Sequence, residues 1–354
     1  MFSFAIPNSK NLSDTKAIKI DAKRPTITNA TSSDNDDTYK IGDNIEIKLE
    51  FDEKMTLASG TLDLSMNHGS ATKVEVDAFS EKTSATKDYT VAEGDTTNDL
   101  NITSMALSTN ATLKDLGGNA PAQLVPTTTL EANKAIKVDG NRPAVMKISS
   151  TSPAGYYKVC ITIPIVLYFT EAVNTTAGNI ITGTLETGST NADATVVFPA
   201  VSNGTSVTKD YVVRENDFNS SLTMNTIAVA GGQRVNDLAG NEMQNAQKAI
   251  PSGKNLADQV VDIFVDGVLP VDDGTAITMT TKGGNVVADK YNDTNTSVDF
   301  VVTIQNSDAT LKVVRYKFRQ RLHLTRGQLL EILKQFQVPI RLPVKSLLMF
   351  CQRL

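Results

Sequence analysis

Between residues 45 and 51 the chain alternates: Ile45, Ile47, Leu49 and Phe51 are apolar, and Glu46, Lys48 and Glu50 between them are charged. A period of two sends one set to a buried sheet face and the other to water, so the pattern predicts a half-buried strand. A later stretch keeps Ile163, Ile165, Leu167 and Phe169 but replaces the outward set by Pro164, Val166 and Tyr168. Core positions recur while surface positions change. Pro164 has no N–H for a ladder, which predicts an edge or a bulge there. Further strands are predicted at Pro25 to Ala30, Gly60 to Met66, Lys73 to Phe79, Tyr89 to Val91, Leu100 to Met105 and Ala135 to Val138. Turn signals at Gly42-Asp43, Glu93-Gly94-Asp95 and Gly117-Gly118-Asn119 separate them.

The likeness of those two strands belongs to a longer internal repeat. Lys16-Ala-Ile-Lys-Ile-Asp21-Ala-Lys-Arg-Pro25 returns as Lys134-Ala-Ile-Lys-Val-Asp139-Gly-Asn-Arg-Pro143, and again as Val261-Asp-Ile-Phe-Val-Asp266-Gly-Val-Leu-Pro270. Thr86-Lys-Asp-Tyr89 matches Thr208-Lys-Asp-Tyr211, and Asp115-Leu-Gly-Gly-Asn119 matches Asp237-Leu-Ala-Gly-Asn241. The offset drifts between blocks, which places insertions in loops, where length is cheap to change. Ala5-Ile-Pro7 and Lys10-Asn-Leu12 match Ala249-Ile-Pro251 and Lys254-Asn-Leu256, so the chain is expected to start inside a repeat. The division expected is the end of a preceding repeat at 1–21, full repeats at 22–139 and 140–266, a partial third unit or companion module at 267–311, and a tail at 312–354.

About seven short strands in ~100 residues predict an all-β chain of tandem immunoglobulin-like β-sandwiches, although the antibody-type Cys-Trp-Cys core is absent. The Ile-Asp linker ending in Pro, the Tyr-Lys-Ile-Gly-Asp start of a strand, the Phe-Asp-Glu end, the Glu-Gly-Asp turn and the Asp-Leu-Gly-Gly-Asn turn together resemble bacterial immunoglobulin-like repeats. Tyr291 to Phe300 resembles a companion module of such arrays. The resemblance implies a large surface or secreted protein, hence an extracellular or cell-surface location. It implies a structural or adhesive spacer without catalysis, or alternatively a calcium-dependent adhesion module with ions at the junctions. The partners it implies are neighbouring repeats of the same chain and a cell-surface or matrix ligand.

Charge sharpens this picture. The 354 residues carry a net −5, but 312–354 hold ten Lys or Arg against Glu331 alone, +9, while 1–311 hold 24 basic and 38 acidic residues, −14. An acidic body disfavours nucleic acid, whose phosphates need a positive field. No stretch approaches 18 apolar residues, so no membrane span is expected, and residues 1–10 lack the pattern of a signal peptide. Cys160 and Cys351 are the only cysteines, too few for a disulfide framework or a thiolate zinc site. The tail loses the strand alternation, and Thr325 to Gln337 reads as a short amphipathic helix. A membrane-surface or partner helix is one reading and a change of reading frame near Lys312 the other, the latter favoured by the abrupt switch of composition.

Candidate chemistry is sparse. His68 and His323 are the only histidines and Trp is absent. His68, in Met66-Asn-His68-Gly69, is expected on a loop surface, and no catalytic or cofactor-binding residue is assigned. Sugar binding needs aromatic platforms, but aromatics are 6% and Phe51 and Phe169 are assigned to cores. The recurrent acids are the remaining candidates: Asp21, Asp139 and Asp266 at the junctions, Glu53 and Glu171 at strand ends, and Glu93, Asp95, Glu215 and Asp217 in turns. Calcium takes six to eight oxygens and is often held by loops, so these acids are the candidate metal set. The simpler reading, which the residues favour, is that they make Asx turns and cap backbone N–H groups.

Overall fold

A computed structural model describes residues 16–269 apart from 17, 70, 72, 189–191 and 260–262, together with strand segments at 271–272, 278–282, 297–301, 304–305 and 315–318. The chain is all-β, with two immunoglobulin-like sandwiches in series, each around its own apolar core. In the first, β1 (Ile27–Thr31), β3 (Asn44–Ala58) and β6 (Phe79–Thr90) form a sheet in the order β1-β3-β6, and β9 (Thr112–Asp115) adds to β3. Packed with it are β4 (Leu62–Met66) between β5 (Lys73–Val76) and β8 (Ile102–Leu107), and β10 (Lys137–Asp139) between β2 (Thr38–Lys40) and β7 (Thr96–Thr97).

The second sandwich repeats this order with β11 (Val145–Ser150), β12 (Gly155–Lys158), β13 (Thr162–Thr175), β14 (Ile181–Glu186), β15 (Thr195–Phe198), β16 (Gly204–Val212), β17 (Phe218–Asn219), β18 (Thr223–Val229), β19 (Val235–Asp237) and β20 (Ile263–Asp266).

The alternation at 45–51 forms the centre of the first core, where Ile45, Ile47 and Leu49 are fully buried. Each such side chain contributes about 1.5–3 kcal/mol by leaving water. The strand outruns its expected end at Phe51 and continues to Ala58, because past the register shift between Glu50 and Met55 β9 takes the edge that β1 leaves at Phe51, while β6 stays paired through Leu57. The stretch expected as one strand from Lys73 to Phe79 is broken at Asp77 and Ala78, and Tyr89 belongs to the end of the long β6. Pro164 falls one residue beyond the last partner on β11, where the strand pairs only with β16. Val166, expected to face outward, is buried, since it lies between Ser149 and Thr208 in the middle of a three-stranded ladder.

Beyond the second sandwich, Ser297–Val301 pairs antiparallel with both Thr278–Lys282 and Arg315–Phe318. Strand pairing therefore continues past Lys312, where the change of composition predicted its end. The expected helix at 325–337 and the repeat fragment at 5–12 lie outside the described residues. Among the described residues no helix is long and apolar enough to cross a membrane.

Candidate metal centre at the joints between sandwiches

The period of two that buries Phe51 and Met55 on one face of β3 places Glu53 in the same row, at the rim of the core. Glu171 stands in the corresponding place on β13, between Phe169 and Val173. After the register shift, Met55 pairs with Asp115 and Val173 pairs with Asp237. Each strand-end glutamate is thereby brought to the turn that follows β9 or β19. The linker aspartate completes the group: carboxylate oxygens of Asp21, Glu53 and Asp115 lie within 4.8 Å of one another, as do those of Asp139, Glu171 and Asp237. Two equivalent triads thus stand at the N-terminal poles of the two sandwiches.

Asp115 and Asp237 are buried, and each is ordered by its own turn. Asn119 donates its backbone N–H and its Nδ2 to Asp115 at 2.7 and 3.0 Å, and Asn241 does the same for Asp237 at 2.8 and 2.8 Å. Burial pushes the Asp115 carboxyl up, but the bonds from Asn119 and the backbone N–H groups of Gly117 and Gly118 outweigh it and hold it below the usual range. Glu53 is shifted the other way, first by desolvation and then by Asp21 and Asp115, and its Oε1 is buried without a hydrogen-bond partner among the described residues. Glu171 is pushed up to about 7 by desolvation and by Asp237 and Asp139. Asp139 is raised mainly by desolvation, with Asp237 adding to it.

A pH dependence follows. A carboxyl whose folded pKa is raised contributes stability below its ordinary range and loses it as pH rises through the folded value. Without divalent cations, hydrogen-exchange protection of β19 should therefore fall between pH 5 and pH 8. Glu171→Gln should flatten the slope and protect better at pH 8. A pH-independent wild type would contradict the assignment.

The joint itself is a hydrogen-bonded clip. Gly140 N–H donates to Asp95 O at 2.7 Å and Gly94 N–H to Gly140 O at 2.9 Å. Gly267 makes the same pair of bonds with Asp217 and Asn216. Across the first joint Ile41 N–H donates to Asn241 Oδ1, and Asn241 Nδ2 donates to Asp139 O. Arg142 lies 3.7 Å from Glu93 of the first sandwich and donates to Glu242 O of the second.

The nine acids singled out in the sequence thus separate. Asp21, Glu53, Asp139 and Glu171 enter the triads. Asp95 and Asp217 do not: each is buried in a clip turn and accepts from a tyrosine hydroxyl, Tyr89 or Tyr211, at 2.7 Å. Glu93 pairs with Arg142, and Glu215 occupies the equivalent place in the second clip turn. Asp21, Asp139 and Asp266 also cap backbone N–H groups two residues on, those of Lys23, Asn141 and Val268, each at 3.2 Å. Asp115 and Asp237 complete the triads. Their signal was in the sequence, in a turn that keeps Asp and Asn at both ends while its middle changes.

His68 is the clearest departure from expectation. It is fully buried, its ring stacks on Tyr89 at 4.8 Å, and its Nδ1 lies 3.0 Å from Asp95 Oδ1. The turn residue His68 corresponds to Thr187, since Thr96 N–H donates to His68 O as Phe218 N–H does to Thr187 O. In the second sandwich the carboxylate instead receives Arg214, with Nε at 2.9 Å from Asp217 Oδ2.

No family model matches the chain, and no curated protein matches it. Among solved structures it is similar to the titin domains Z1Z2 in complex with telethonin, at 8% identity over 63% of this chain and 96% of that one, with a TM-score of 0.19.

Proposed function

We propose that the chain is a spacer segment of a tandem-repeat protein of the bacterial surface or secreted kind, a structural and adhesive element that performs no catalysis. The observation that carries this reading is the clip. The linker is a strand of the first sandwich up to Asp139, and Gly140, Arg142 and Asn241 then tie it to both neighbours. A joint bonded on both sides transmits force and limits bending, as a spacer requires. Small-angle scattering of the whole chain should give a cross-section one sandwich wide and a distance distribution tailing to an extended maximum. A compact particle with the sandwiches folded back on each other would defeat the reading.

A second reading is favoured by the recurrence of the triads: a divalent cation at each joint. Three carboxylates offer up to six oxygens, hard donors of the type Ca²⁺ takes, and the buried Glu53 Oε1 is available as one of them. Asp21, Glu53 and Asp115 would hold one ion, and Asp139, Glu171 and Asp237 the next. Bound, the ion supplies positive charge that offsets the repulsion within each triad and fixes the linker aspartate to the following sandwich. Millimolar Ca²⁺ should raise the melting temperature over that in chelator, and Asp237→Asn should remove the gain of the second sandwich while leaving that of the first. Identical melts would leave the acids as capping groups.

A further inference from the structure

The sheet β12-β20-β17 turns one face to solvent, and three aromatic side chains lie on it. Tyr156, 76% exposed, pairs with Phe264, their rings stacked with centroids 4.7 Å apart and planes 16° from parallel. Phe218, 51% exposed, pairs with Asp266 on the other side of β20, one period along the same face. The first sandwich has the same sheet, β2-β10-β7, in the same register, and there the equivalent positions are Thr38, Lys137 and Thr96. The aromatic face is thus a property of the second sandwich and not a requirement of the fold, which forms equally well with threonine and lysine.

We infer that this face is a binding site for a neutral glycan, with a pyranose ring lying on the Tyr156–Phe264–Phe218 surface. Size decides between classes of partner. Two largely exposed rings and one half-buried ring present roughly 300 Å² of apolar surface, well short of the ~800 Å² per partner of a stable protein interface. A second copy of the chain or a folded protein is therefore undersupplied. An area of this order suits one or two sugar rings, whose C–H faces pack on aromatic carbon while Lys158 and Asp266, paired across the strands beside the rings, offer a donor and an acceptor to the hydroxyls. Charge decides within the glycans. The body's net −14 repels acidic sugars and nucleic-acid phosphates alike, which leaves neutral sugars. This binding role goes beyond the spacer reading and does not depend on it.

The test is saturation-transfer NMR of the full chain with chitohexaose, mannohexaose, cellohexaose and maltohexaose, with a heparin hexasaccharide as the acidic control. At least one neutral oligosaccharide should bind, weakly, at about millimolar dissociation constant, as a shallow site allows. The triple variant Tyr156→Thr, Phe264→Lys, Phe218→Thr, which carries the first sandwich's residues, should bind at least tenfold more weakly while its circular dichroism stays unchanged. The reverse graft, Thr38→Tyr, Lys137→Phe, Thr96→Phe, should add a second site. Absence of binding by all four neutral sugars, binding undiminished in the triple variant, stronger binding of heparin, or concentration-dependent dimerisation abolished by the triple variant would each overturn the inference.

Discussion

Gly140→Ala is expected to destabilise the first sandwich by about 3 kcal/mol, a loss of roughly 10 °C in melting temperature. The reason is space and not backbone torsion. A Cβ on Gly140 would meet Ala92 O at 2.3 Å, Asp95 O at 2.6 Å and Asp95 N at 2.8 Å, all main-chain atoms that have no side-chain freedom with which to give way. The linker must move off the turn and lose both of its backbone hydrogen bonds. Gly267→Ala should do the same to the second sandwich, where the Cβ would meet Arg214 O at 2.2 Å. Gly94→Asn is the control. Gly94 has φ 91°, and its counterpart Asn216 holds φ 67°, so asparagine is tolerated there and the cost should stay within about 1 kcal/mol. Chemical denaturation of the whole chain measures all three, and scattering should show the unclipped joint bending more freely. If Gly140→Ala melts and scatters as the wild type does, the clip does not hold the joint.

The parts legible in the sequence are those set by local period and by recurrence. Alternation found the core row of β3 and β13, and the internal offsets found the linker aspartates and strand-end glutamates that enter the triads. What it did not show depends on partners distant in the chain. The continuation of β3 past Phe51 depends on a change of neighbour from β1 to β9, which no window around Asp52 reveals. Asp115 reads as one turn residue among several until its strand is paired with Met55. Glu53 carried a signal that was open to reading: continuing the alternation of 45, 47, 49 and 51 puts a carboxylate on the apolar row. An acid in that place costs desolvation, so its recurrence as Glu171 asks for a reason. The aromatic face was hidden for the opposite cause, since Tyr156, Phe218 and Phe264 lie on three short strands that come together only when the linker strand closes the sheet.

His68 shows how two repeats solve one burial problem differently, and swapping the solutions has the second large expected effect. Asp95 and Asp217 are both nearly inaccessible, both bonded to a tyrosine hydroxyl and to the backbone N–H three residues before. Each needs a further donor. In the second sandwich Arg214 reaches in from the start of the turn, and its Nη2 extends toward Thr187 Oγ1 at 3.4 Å. In the first, the residue at Arg214's place is Ala92, and the residue at Thr187's place is His68, whose Nδ1 lies 3.0 Å from Asp95 Oδ1. His68→Thr should therefore cost about 2–4 kcal/mol, because it removes the imidazole that lies against a buried carboxylate and leaves a void beside Tyr89. Adding Ala92→Arg should recover at least half of that, since the guanidinium then has both its carboxylate and the threonine it meets in the second sandwich. The reciprocal pair makes the same point: Arg214→Ala destabilises the second sandwich and Thr187→His restores it in part. A double-mutant cycle should give a coupling of about 1–3 kcal/mol between positions 68 and 92. Should His68→Thr cost the same whether or not Ala92→Arg is also present, the two side chains are not alternative partners of one carboxylate, and the correspondence between the clips is one of backbone alone.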